Sequence, residues 1–187
     1  RMRVVEQVIK LTHAVEQSPA SVMITDSRGH IEYVNPRFSV VTGYEPREVV
    51  GQNPRLLKSG HHPPEFYQEL WETITAGRLW HGELCNRKKD GELFWESVSI
   101  SPITNQDGVA THYVAVKEDI TARKQADVAL RAERDRAQRY LDIAGVVIVA
   151  LDATGAVTLL NRRGAELLGY SEAELVGRNW YDHCVPA

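Results

Sequence analysis

Along Leu79–Lys88 the residues Trp80, Gly82, Leu84 and Asn86 sit two apart, so in the strand this run predicts they share one face. His81, Glu83, Cys85 and Arg87 share the other, which makes Cys85 a packing residue or a surface thiol. The first face sets an indole beside a carboxamide that both donates and accepts, and Gly82 between them leaves room for a planar ring. In the next strand Phe94, Glu96, Val98 and Ile100 fall together, which puts a carboxyl into an apolar stripe where it has to be hydrogen-bonded or protonated. Trp71, from the helix before these strands, is the third aromatic of the set. Ordinary core packing is the alternative for Trp71 and Trp80; Asn86 is harder to explain that way, because an inward amide without a partner is costly.

Other chemistries find little support. His61 and His62 are adjacent and point in different directions, with no third ligand at metal spacing. No nucleophile is spaced with a base and no glycine-rich phosphate loop follows a strand, so catalysis is not expected. A net charge of −3 with both signs scattered gives no basic patch for nucleic acid. The longest apolar run, Ala144 to Leu151, is far short of the roughly 20 residues that span a bilayer. Cys85 and Cys184 show no paired or metal-like spacing, and a reducing cytoplasm is the expected compartment.

The elements that position these residues repeat. Over 26–53 against 152–179, an offset of 126 residues, ten of 28 positions are identical without a gap, including Asp26/Asp152, Asn35/Asn161, Gly43/Gly169 and Asn53/Asn179. Solenoid repeats run at roughly 20–50 residues, so this period means tandem domains. The expected organisation is α+β: an amphipathic N-terminal helix over 1–17, a complete domain over 18–121, a connector helix over 122–141 and a partial second domain over 142–187, a fragment of a longer chain. Val4, Val8, Leu11 and Val15 form one helical stripe suited to dimerisation or docking. In the complete domain, strands at Ser21–Thr25 and Ile31–Val34 precede short helices and a longer helix over Glu65–Ala76. Strands at Leu79–Lys88, Glu92–Pro102 and Val109–Glu118 complete it, and a charged helix opens at Asp119 and runs to about Leu141. Asn35 and Asn161 are expected to bond backbone, since the repeat places them in both domains.

The Thr-Asp-x-x-Gly-x-Ile-x-Tyr-x-Asn hairpin beginning at Thr25, the Thr42-Gly43-Tyr44 helix end and the closing Tyr113-Val-Ala-Val-Lys-Glu-Asp-Ile-Thr121 resemble the PAS domain with its PAC motif. That resemblance implies a five-stranded antiparallel sheet with helices over one face. The stretch Trp80-His-Gly-Glu-Leu-Cys-Asn86-Arg-Lys-Lys-Asp-Gly91 is similar to the FAD-binding redox PAS domains of the NifL, Aer and MmoS type, and Trp71 stands where those carry a tryptophan. The ligand so implied is FAD, with FAD over FMN resting on resemblance alone. Trp71, Trp80 and Asn86 would hold its ring, Met23, Thr25 and Leu57 would lie beside it, and Asn53, Arg55 and Lys58 would line the ribityl or phosphate path. Glu96 stands where light-sensing flavin domains have a second flavin-binding Asn, and Lys117 where they have a Gln. Gly51-Gln52-Asn53-Pro54-Arg55 resembles their adduct motif with Pro54 in place of the reactive cysteine, so the resemblance implies redox sensing without a cysteinyl photocycle. Haem-binding relatives carry an axial His within the helix body, and Glu65–Ala76 has none. The expectation is a non-catalytic sensor segment, homodimeric and coupled to a downstream output domain such as a sensor histidine kinase, or to a response regulator. A cofactor-free dimerisation and relay module, or a haem gas sensor, are the rivals.

Overall fold

The computed structural model describes residues 2–143 and 145–183; Ala144, expected in the connector's heptad seam, and Cys184 lie outside them. The chain divides into two compact units, 1–125 and 126–187.

In the first unit, helix α1 (Met2–Glu16) leads into β1 (Ser21–Asp26) and β2 (Ile31–Val34). Short helices α2 (Pro36–Thr42) and α3 (Pro46–Val49), a 3-10 turn over Pro54–Leu57 and helix α4 (Pro64–Thr75) follow. Then come β3 (Trp80–Arg87), β4 (Leu93–Thr104) and β5 (Ala110–Asp119). The sheet is antiparallel in the order β2-β1-β5-β4-β3, so β3 is an edge strand. Its inner face buries two clusters. Met23, Ile31, Val34, Phe38, Val49, Leu57 and Ala115 form one, and Leu70, Ile74, Trp80, Leu84, Val98 and Tyr113 form the other beneath α4.

Each boundary has a local cause. Pro36, Pro46, Pro54 and Pro64 open the helical pieces, where the missing N–H costs nothing, and Gly43 ends α2 in the left-handed conformation at φ 76°. The connector helix α5 (Thr121–Ile143) starts at Thr121, one residue from the expected bound of 122, because β5 runs on to Asp119, which pairs with Glu96, while its side chain caps Thr121 N–H. On α1, Val4, Val8 and Leu11 are exposed and Val15 is half-buried.

Asn35 ties the opening of this unit together. Its Oδ1 accepts from Val22 N–H at 2.8 Å and Phe38 N–H at 3.2 Å, and its Nδ2 donates to the carbonyls of Val15 and Ala20, both at 3.0 Å. One fully buried amide thus joins the last turn of α1, β1 and the start of α2. In the second unit, strands β6 (Val149–Leu151) and β7 (Val157–Leu160) precede helices α6 (Arg162–Leu168), α7 (Glu172–Leu175) and α8 (Trp180–His183). There Asn161 accepts from Ile148 and Gly164 and donates to Leu141 and Val146, every partner being 126 residues on.

Removing four hydrogen bonds at a buried position sets a clear expectation. Asn35→Ala should lower unfolding free energy by about 2–4 kcal/mol in urea titrations, since cap loss adds to newly unpaired buried N–H groups. Asn35→Asp, which at pH 7 sets a buried carboxylate against the carbonyls of Val15 and Ala20, should cost at least as much as the alanine variant; a loss under about 0.5 kcal/mol for the alanine variant would contradict the tie.

Candidate functional site

Between the inner sheet face, α4 and the 3-10 turn lies a cavity of about 160 Å³. Met23, Leu70, Trp71, Ile74, Leu84, Val98, Ile100, Tyr113 and Ala115 give it apolar walls, and Asn86 and Lys117 supply polar atoms from the sheet. Asn53, Pro54, Arg55 and Lys58 line it from the 3-10 turn.

Of the residues singled out in the sequence, Met23, Thr25, Asn53, Arg55, Lys58, Trp71 and Asn86 line this space, whereas Trp80, Leu57 and Glu96 do not. Trp80 is 5% exposed, edge-on to Phe66 at 5.7 Å. Its indole folds back over Gly82, where an added Cβ would meet it at 2.6 Å, so the space kept by that glycine belongs to the tryptophan's own ring and not to a ligand. Leu57 is a core residue beneath the cavity.

Glu96 is fully buried behind the lining. Its Oε2 accepts from Asn86 Nδ2 at 2.8 Å and pairs with Lys117 Nζ at 3.4 Å. Asn86 is therefore not the partnerless inward amide that the sequence suggested. Lys117 is 4% exposed and follows Tyr113 and Ala115 inward along β5, leaving Val114 and Val116 for the outer face. Glu96 Oε1 and the Tyr67 hydroxyl are buried and unpartnered.

Lys58 lines the cavity against another lining residue, Tyr67. Its ammonium sits 3.5 Å from the centre of the Tyr67 ring, a cation–π contact. Burial raises the Tyr67 pKa above the usual phenol value, with Cys85 a smaller contributor. Asn53 Oδ1 accepts from the Arg55 backbone N–H at 3.1 Å and from its Nε at 3.0 Å, holding that guanidinium beside the cavity. Tyr67 and Tyr113 were not anticipated. Tyr67, Leu70, Trp71 and Ile74 follow the i, i+3, i+4, i+7 spacing of a single helical stripe, which could have found Tyr67.

The other side of β3 is closed by the His61–His62 loop. Cys85 N–H donates to His62 Nε2 at 2.9 Å, and Ser59 Oγ donates to the Cys85 carbonyl at 2.5 Å. His62 stacks on Phe66 with centroids 4.2 Å apart, and His61 meets Trp95 at 4.9 Å. The loop thus supplies the hydrogen bonds an edge strand lacks. Cys85, 2% exposed, is a packing residue and not a surface thiol. Because Nε2 accepts, His62 is neutral with its proton on Nδ1; burial first, and His61 second, push its pKa below 6.5.

Trp95 connects the sheet to the connector helix. Its N–H donates to Thr121 Oγ1 at 2.9 Å, and its carbonyl accepts from Ile120 N–H at 2.8 Å. Lys124 Nζ lies 4.9 Å from the Trp95 ring, and both Lys124 and Arg123 pair with Glu83 of β3. These cations, Lys124 foremost, hold the Glu83 carboxyl below its usual range. Among the described residues no group of three His, Cys, Asp or Glu could hold a metal ion, and no helix is long and apolar enough to cross a membrane.

Comparison with known proteins places this architecture. A family model described as PAS domain matches residues 19–122, and a second, PAS fold, matches 135–187. The nitrogen fixation regulatory protein of Klebsiella oxytoca is 35% identical over 147 residues, covering 79% of this chain and 30% of its own length. The chain therefore spans under a third of that relative. Among solved structures, an RNA-binding light-oxygen-voltage receptor superposes with a TM-score of 0.62 at 28% identity, covering 68% of this chain and 37% of that one. A light-oxygen-voltage domain studied with a flavin analogue gives 0.56 at 25% identity, covering 68% and 96%.

The His62 contact makes folding pH-dependent with a definite sign. The folded-state pKa is depressed, so the unfolded chain takes up the proton first, and stability falls as pH drops from about 6.5 toward the lower folded value. Urea midpoints at pH 7 and pH 5 should show a larger loss for the wild type than for His62→Gln, which keeps polar character without titrating. Equal losses would mean that His62 is not held neutral by the fold.

Proposed function

This chain belongs to the PAS family, and on that premise we propose that its first domain binds FAD and passes the redox state of that cofactor to a downstream signalling output. The observation that carries this reading is the cavity's composition. Its walls are apolar and aromatic, one carboxamide and one ammonium converge from the sheet, and Arg55 lies at the 3-10 turn. The unpartnered Tyr67 hydroxyl, which lines the cavity, fits a polar-edged guest, because buried polar atoms are rarely left unpaired in the functional state.

In this reading Asn86 and Lys117 hold the polar edge of the ring, Trp71, Met23, Leu84, Ile74 and Tyr113 its faces, and Asn53, Arg55 and Lys58 the ribityl and phosphate chain. Thr25 borders the same space. Glu96 acts from behind, and Trp80 and Leu57 support the walls without touching the guest. A bound flavin would supply electron uptake coupled to protonation of a ring nitrogen, turning an acceptor into a donor. Such a change asks the neighbouring amide and ammonium to re-pair. Glu96 follows Trp95 in β4, and the two backbone groups of Trp95 bond Ile120, just before α5, and Thr121, its first residue, so a shift at the carboxylate has a short covalent and hydrogen-bonded route to the connector helix. The output would be a domain such as a sensor histidine kinase, in a homodimer held by the exposed stripe Val4, Val8 and Leu11. The segment itself is read as sensory and not catalytic.

A cofactor-free relay module is favoured by one specific observation, the Trp80 ring filling the place above Gly82. The two readings separate on the chromophore. Protein purified or reconstituted with flavin should release FAD on denaturation, and Asn86→Ala should lose occupancy or shift the potential while still folding, because an unpaired ring edge costs roughly 1–3 kcal/mol. Blue light should form no cysteinyl adduct, since Pro54 offers no thiol and Cys85 is buried outside the cavity. A protein that stays colourless after reconstitution favours the relay module, and full occupancy with an unchanged potential in Asn86→Ala removes that residue from the site.

A further inference from the structure

We infer that Glu96 is a positioning residue and that Lys117, which it holds, decides which redox form of the cofactor the cavity binds more tightly; this deepens and rests on the flavin reading above. Both of Glu96's bonds are made by one oxygen, to Asn86 Nδ2 at 2.8 Å and to Lys117 Nζ at 3.4 Å. With one Nδ2 hydrogen engaged, Asn86 keeps its second N–H and its carbonyl oxygen, the latter an acceptor for a ring N–H. Lys117 and Asn86 line the cavity and Glu96 does not, so the ion pair turns its positive end toward the guest. The second carboxylate oxygen is buried without a partner, so no other donor stands ready to replace Lys117.

The charges around the space point the same way. Among the described lining residues three are cationic, Arg55, Lys58 and Lys117, and none carries a carboxyl. Arg55 is tied to Asn53 and Lys58 to the Tyr67 ring, which leaves Lys117 as the cation set in the sheet beside Asn86. A flavin ring that takes up two electrons and one proton gains one negative charge. A buried ammonium at its edge opposes that charge at low effective dielectric, where Coulomb terms are strong. The site is therefore biased toward the reduced ring, and affinity for the reduced relative to the oxidised cofactor sets the potential through linkage.

The test measures dissociation constants of oxidised and dithionite-reduced FAD for the wild type, Lys117→Met, Glu96→Gln and the double variant, beside the melting temperature of each ligand-free protein. Lys117→Met should lower the reduced-over-oxidised preference by about tenfold, a fall in midpoint potential of about 30 mV for a two-electron couple. Glu96→Gln, which leaves the ammonium without its counter-charge, should move the preference the other way. The ligand-free Lys117→Met protein should melt lower than the wild type because it buries an unpaired carboxylate, and the double variant should recover stability while keeping the lowered preference. Shifts of the same sign in both single variants, or no shift in Lys117→Met, overturn the inference and leave the flavin reading standing. A wild type that binds FAD in neither form overturns both.

Discussion

A carboxylate with no exposure, set into an apolar sheet face, constrains everything around it. Isolated, such a charge costs several kcal/mol even after relaxation, so Glu96 is tolerable only with a cation and a donor in place. That requirement reaches across three strands. The pairing of Val98 with Lys117 and of Leu84 with Glu96 brings the ammonium and the Asn86 amide to one carboxylate, and a slip of one residue in either ladder would turn a member of the trio outward. Turning Lys117 inward sends Val114 and Val116 to the other side, where Val116 is 44% exposed. The polarity of the cavity and the apolar character of the outer sheet are thus two results of one ion pair.

The alternating strands were legible because period-two patterning depends only on neighbours in sequence. Trp80, Leu84 and Asn86 do share the inner face with Phe94, Glu96 and Val98. What alternation cannot reveal is how far a side chain reaches along its face. Trp80 bends back over Gly82 instead of facing a guest, and Lys58 lines the cavity with its ammonium set on the Tyr67 ring. For Cys85 alternation left a packing residue or a surface thiol open for a related reason: its neighbour is a loop 23 residues earlier, joined through His62, and no pattern local to β3 reports that cover. The PAS fold itself was readable from turn and capping residues, which act within a few positions of their own place in the chain.

The internal repeat separates scaffold from chemistry. Asn35 and Asn161 bind the same four backbone partners at the same offset, and Asp26 and Asp152 each accept from N–H groups two and four residues on. Asn53 and Asn179 each cap the residue two ahead. A motif present in both units serves what both units need, which is the closing of the opening hairpin onto the short helices. Asn53 must therefore be counted as a scaffold residue first, whatever else it touches in the first unit. The Asn86–Glu96–Lys117 trio lies wholly in β3–β5, outside the 28 aligned positions.

Coupling follows from where these two kinds of residue meet the helices. Each unit is entered by a helix whose last turn is held by the scaffold asparagine, through Val15 in one case and Leu141 in the other. The first unit is left by a helix whose start is held at Trp95, beside Glu96. The entering helix is tied to the residues on either side of Ser21, which pairs with Lys117, and the leaving helix to Trp95, which precedes Glu96, so each end of the domain meets one member of the ion pair. One continuous helix therefore carries both the contact with Trp95 at its start and, at Leu141 in its last turn, the carbonyl gripped by the asparagine of the second unit.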